Sequence, residues 1–221
     1  MSDTAYPNGR FLRDDQGVRP DWWDPIKYVE SIEQARKAVE DTAFVIVSAK
    51  KRPDWGSHRP GVELIFYMAV IDYETKVMLH EVLESPKDRY VWEKYLALHL
   101  HEVLERAPQA IGAAIREMRR PGTASKADPE RHEAAARDLR EAFKEIRRDT
   151  EFMTAIESLR NGVAAHHMDK KSATMDPSID WMLTAASTRA RGQTPFTSQI
   201  VEYSGKALAA IQTFSHAVLT P

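Results

Sequence analysis

The side chains best suited to chemistry lie together in the stretch Leu159-Arg160-Asn161-Gly162-Val163-Ala164-Ala165-His166-His167-Met168-Asp169. Arginine is charged at every physiological pH, and its forked guanidinium matches the oxygens of a phosphate. Histidine titrates close to neutrality and can take or give a proton. Asparagine can hold either partner, or a phosphate oxygen, by hydrogen bonding. These types suit RNA cleavage without a metal. A base removes the 2′-hydroxyl proton while a fixed cation meets the charge developing on the phosphate.

An α-helix is needed to position them. Phe152, Ile156, Leu159 and Val163 recur at steps of four, three and four, one face of a helix. With Phe152 as origin and about 100° per residue, that stripe centres at about 10°. Arg160 then falls at about 80° and His167 at about 60°, on one flank, with His166 on the other at about 320°. Arg160 precedes His167 by about two turns. Asn161 points away unless Gly162 loosens the helix. On an unbroken helix His167 is the better partner for Arg160.

Arg160-Asn161 followed by His166-His167 resembles the signature of HEPN domains, an arginine, four to six residues of which the first is usually polar, then a histidine. The resemblance covers roughly residue 90 to the C-terminus. It implies a helical bundle acting as a metal-independent endoribonuclease of toxin–antitoxin or phage-defence type. Arg160 would steady the phosphate, with Asn161 beside it, and either His166 or His167 would act as base or acid. It further implies a homodimer in which two motifs meet in one cleft, and an antitoxin partner of the nucleotidyltransferase type. No cofactor is implied. The family also contains non-catalytic interaction modules, so a dimerisation or ligand-binding role is the alternative, with Arg160 paired to an acid such as Glu157. A metal site is a further alternative. His101 and Glu105 are four apart on a helix, and the segment from His166 to Asp169 offers more ligands.

The chain of 221 residues is 43% hydrophobic and 29% charged, as expected of a globular protein able to bury a core. With no cysteine it has no disulfide, thiolate metal site or cysteine nucleophile. Neither a signal peptide nor a membrane span is expected, and cytoplasmic is the default location. A net charge of −2 gives no global pull toward nucleic acid. RNA would have to meet local patches such as Lys50-Lys51-Arg52, Arg116 with Arg119 and Arg120, Arg147-Arg148 or Lys170-Lys171. There is no Gly-rich phosphate loop and no Gly-x-Ser-x-Gly elbow.

Taken in order, residues 1–23 read as an arm rich in proline and glycine, pinned by Trp22 and Trp23. Asp24-Pro25 starts a helix over 25–41. Ala43–Val47, Val62–Ile71 and Val77–Leu83 read as strands, with Arg52–Gly61 a loop and Asp72–Lys76 a hairpin connection. From Asp88 the period is helical. Pro108 kinks that helix or starts the next, Asp128-Pro129 and Asp149 cap two more, and Asp176-Pro177 and Thr194-Pro195 start the last two. The expected fold is mainly α, an up-and-down helical bundle with a small N-terminal antiparallel β-meander. Its expected parts are an arm (1–23), a helix plus β-meander appendage (24–87) and the HEPN-like bundle (88–221).

Overall fold

A computed structural model describes residues 5–6, 9–14, 17–20, 22–85, 89–123, 125–164 and 196–219. Its backbone begins with three short antiparallel strands, β1 (Ala5–Tyr6), β2 (Gly9–Asp14) and β3 (Gly17–Pro20), in the order β1-β2-β3. Six helices follow among the described residues: α1 (Pro25–Ala49), α2 (Trp55–Glu84), α3 (Arg89–Met118), α4 (Pro129–Arg147), α5 (Thr150–Ala164) and α6 (Phe196–Leu219). The chain is mainly α, a six-helix bundle in which α2 packs on α1, α3 and α6, and α3 also meets α4, α5 and α6.

The expected meander at 43–83 is helical. Ala43–Val47 completes α1, and 55–84 form one helix. The reason is periodicity. Leu64, Met68, Ile71, Thr75, Leu79 and Val82 are buried at steps of four, three, four, four and three. The run Val62–Ile71 is apolar on both sides, and in so short a window alternation and helical repeat look alike. Asp72–Lys76, read as a hairpin connection, lies inside α2. There the Thr75 hydroxyl donates to the Ile71 carbonyl (2.7 Å) and Lys76 pairs with Asp72 (2.7 Å), both four residues back. Arg52–Gly61, read as a loop, is mostly the first turns of α2. Its Gly61 is needed for space, because a Cβ there would sit 3.0 Å from the Ala127 Cβ.

Caps fix the starts of α1 and α4 as the sequence predicts. The Asp24 carboxylate accepts from the backbone N–H groups of Ile26 (3.1 Å) and Lys27 (3.2 Å), and Asp128 does the same for Glu130 (3.0 Å) and Arg131 (3.2 Å). Each is followed by proline at the first helical position. Trp23 pins the arm as expected, its indole N–H donating to Glu84 Oε1 (2.7 Å) and its ring lying 4.3 Å from that of Tyr28.

A single buried cluster joins α2 to α6, including Leu79, Leu100, Ile111, Leu139, Phe143, Phe152, Ile156, Ile211 and Phe214. Polar contacts tie the same helices together. The Thr197 hydroxyl donates to the buried Glu93 carboxylate, Gln212 to Asp72 (2.8 Å) and Arg131 to the Ala217 carbonyl (2.6 Å).

Pro108 does not begin a new helix, since α3 runs on across it from Arg89 to Met118. Proline lacks the N–H that would bond the carbonyl four residues back, here Leu104. The Arg147 guanidinium at the end of α4 donates to that carbonyl and also pairs with Glu105 (3.2 Å). Arg147 thus replaces the missing backbone donor. Arg147→Met is expected to cost about 1–3 kcal/mol of stability in urea unfolding. The loss should shrink in a Pro108→Ala background, where the backbone N–H returns to the Leu104 carbonyl.

Candidate functional site

α5 carries the first half of the predicted motif. The Asp149 carboxylate starts the helix, accepting from the Phe152 N–H (2.9 Å) with one oxygen and from the Tyr203 hydroxyl of α6 (2.7 Å) with the other. Phe152, Ile156 and Leu159 are buried, as the stripe predicts. The Phe152 ring stacks on Phe196 (5.5 Å between centroids) and meets Tyr203 edge-on (4.7 Å), fixing the start of α5 against α6.

Arg160 is exposed on the flank of that stripe. Asn161 belongs to the same helix, and its side chain lies outside the described residues, as do His166 and His167. The structure therefore places one of the four predicted site side chains. Among the described residues no carboxylate lies within ion-pairing distance of Arg160, so the expected pair with Glu157 does not form.

Opposite Arg160 stands α3. Together the two helices line an open polar groove of about 550 Å³, with Glu157 and Arg160 from α5 and His101, Glu102, Glu105, Arg106 and Gln109 from α3. The α3 positions repeat at the spacing of one helix face. His101 and Gln109 belong with Arg160 in space although they lie far before it in sequence, on another helix. Only the packing of α3 on α5 brings them together. His101 is buried, and its Nδ1 has no hydrogen-bond partner among the described residues. The groove's charges are partly spoken for: Glu102 pairs with Arg106 (3.2 Å) and Glu105 with Arg147 (3.2 Å). Arg160 and Glu157 enter no ion pair among the described residues.

The metal alternative is not assembled by these residues. His101 and Glu105 do share the groove, yet no three histidine or carboxylate side chains converge as ligands among the described residues. The other expected ligands, His166 to Asp169, lie outside them.

Four of the eight described cations in the basic patches are paired to carboxylates. Arg119 reaches Glu133 (2.6 Å), Arg120 meets Glu117 (3.5 Å), Arg52 meets Asp54 (3.0 Å) and Arg147 meets Glu105. A second cavity of about 500 Å³ lies between α1, α2 and α6, walled by Trp22, Tyr28, Val201 and Leu208. Its buried cation, Lys76, is already compensated by Asp72. No helix among the described residues is long and apolar enough to cross a membrane.

Comparison of the chain with family models, with curated proteins and with solved structures finds no match. The fold and the groove define a mainly α protein with a six-helix bundle among the described residues.

One histidine has a structural role that can be measured. His99 sits between α3 and α2, its Nε2 2.9 Å from the Thr75 hydroxyl. That hydroxyl already donates to the Ile71 carbonyl, so the ring nitrogen is the donor. Burial pushes the imidazole down to about 4, so it is neutral at pH 7. Because the unfolded ring titrates near 6.5, the unfolded chain binds the extra proton between those values. Stability from His99 is therefore complete above about pH 6.5 and falls as pH drops toward about 4, by roughly 3 kcal/mol in all. In His99→Gln that part of the slope in urea unfolding between pH 7 and pH 4 should disappear.

Proposed function

We propose that the chain is a metal-independent endoribonuclease of the HEPN type, of the kind seen in toxin–antitoxin or phage-defence systems, acting as a homodimer. The observation that carries this reading is Arg160, an exposed guanidinium without a carboxylate partner among the described residues, at the rim of an open polar groove. A cation left uncompensated beside a groove can receive a phosphate, and a bidentate arginine does so with fixed geometry.

In this mechanism Arg160 holds the scissile phosphate, with Asn161 as a further hydrogen-bonding group. One of His166 and His167 takes the proton from the 2′-hydroxyl, whose oxygen attacks phosphorus. The bond to the 5′-oxygen breaks, and that oxygen receives a proton from an imidazolium, supplied by the second ring or by a partner subunit. The products are a 2′,3′-cyclic phosphate and a free 5′-hydroxyl, so no metal enters the balance. The same resemblance supplies a nucleotidyltransferase-type antitoxin as partner.

A second reading, a non-catalytic dimerisation or ligand-binding module, draws on a different observation. The arginine patches that would hold RNA are mostly tied to carboxylates, and the apolar side chains of α1 stand in solvent.

Cleavage of single-stranded RNA in excess EDTA tests the choice. The wild type should cut and leave cyclic phosphate ends. Arg160→Ala and the His166→Ala/His167→Ala double variant should each lose at least about 100-fold in rate with unchanged helicity. No cleavage by the wild type in either EDTA or Mg²⁺ would leave the module reading, and cleavage abolished by EDTA would remove the metal-independent mechanism.

A further inference from the structure

α1 has two faces, and among the described residues only one is packed against. Tyr28, Ile32, Ala35, Val39 and Ile46 are buried or half-buried on the side where α1 packs against α2. On the other side Ile26 is 74% exposed, Val29 50%, Phe44 73% and Val47 67%. Large apolar side chains left in water singly are ordinary. Here they fall in two groups at the two ends of one helix face, separated by charge.

The spacing of that face is regular. Val29, Glu33, Arg36, Glu40, Ala43 and Val47 recur at steps of four, three, four, three and four, the repeat of a helix-pairing seam. Five of the six are exposed and Ala43 is half-buried. The seam runs about 27 Å at 1.5 Å per residue. Arg36 sits at its middle, its Nε donating to Glu33 (2.9 Å) and its guanidinium also reaching Glu40.

The geometry points to a second copy of this chain as the occupant, with the two α1 helices antiparallel across a twofold axis. Reversed upon itself, the seam sets Val29 opposite the partner's Val47 and Glu33 opposite the partner's Ala43. Arg36 then faces the partner's Glu40, and by symmetry Glu40 faces the partner's Arg36. Within one turn of these pairs, Ile26 reaches the partner's Val47 and Phe44 reaches the partner's Val29. Each apolar end thus covers the other chain's apolar end, and the two central charges meet opposite charges. A parallel pairing would set Arg36 against the partner's Arg36 and carboxylate against carboxylate, which disfavours it. The pattern is self-complementary in one direction only.

This goes beyond the ribonuclease reading and stands apart from it, because the groove beside Arg160 is lined by α3 and α5 and not by α1. One helix pair of this length lies at the small end of stable interfaces, so dissociation in the micromolar range is expected.

Sedimentation velocity from about 1 to 100 µM is the first measurement, with helicity and melting temperature recorded for every variant. The wild type should double its mass over that range, from monomer to dimer or, where the cleft pairing of the ribonuclease reading also forms, from dimer to tetramer. Val29→Glu and Val47→Glu should each abolish that doubling without loss of helicity. Arg36→Glu alone and Glu40→Arg alone should abolish it too, since each sets like charges together twice. An equal mixture of those two variants should double again, because the mixed pair alone restores both opposite-charge contacts. The cysteine-free chain allows a direct reading of direction. A mixture of Val29→Cys and Val47→Cys should form a mixed disulfide dimer on mild oxidation, while Val29→Cys alone should not. A wild type whose mass does not change over that range would overturn the proposal and leave the face to another polypeptide. So would a mass doubling indifferent to Val29→Glu and Val47→Glu, or a cross-link through Cys at position 29 in both chains.

Discussion

Burial of the α2 stripe is the constraint on which the other helices depend. Leu64, Met68, Ile71, Leu79 and Val82 are almost wholly removed from solvent, and α2 is the helix that α1, α3 and α6 all contact. At about 25 cal/mol per Å² of apolar surface, such side chains each contribute on the order of 1.5–3 kcal/mol. That gain also carries polar groups inside. Lys76 and Thr75 are buried on α2 only because Asp72 and the Ile71 carbonyl, one turn back, receive their hydrogens. Without α2 in place, α3 would have no wall behind His99, and α1 would lose the helix it packs on.

Much of the helical order was legible in the chain because it is written in local chemistry. Asp24-Pro25, Asp128-Pro129 and Asp149 each supply a carboxylate for unpaired N–H groups, and all three stand where helices begin. The stripe of α5 was legible for the same reason. What local chemistry could not give was α2, since a helix contacted by several neighbours is apolar on more than one side. A run of that kind loses the contrast by which periodicity is recognised. The β-rich Ala43–Val47 misled differently. Its valines and phenylalanine lie on the outer side of α1, where branching costs a helix only tenths of a kcal/mol per residue.

The site shows the same division. The sequence sets Arg160 on the flank of a buried stripe, and it is exposed there. That Arg160 would share a groove with His101 and Gln109 could not be read, because nothing local to either helix specifies which face of α3 meets α5. Pro108 is a related case. Its meaning depends on Arg147, nearly forty residues on, which gives the Leu104 carbonyl the hydrogen that proline lacks. A rule about proline in helices captures the local penalty and misses a donor arriving from another helix.

The Asp149 carboxylate makes α5 resemble a cantilever. Both of its oxygens are occupied at the root of the helix, by the Phe152 N–H and the Tyr203 hydroxyl, and the Phe152 ring is clamped there between Phe196 and Tyr203. Arg160 rides eleven residues farther out, about 16 Å along the beam. A tilt of about 10° at the root would sweep the arginine by about 3 Å at that lever arm, enough to make or miss a hydrogen bond. The aim of the guanidinium is therefore set from both ends of the beam, by the capped and wedged root and by Ile156 and Leu159, seated in the core just before it.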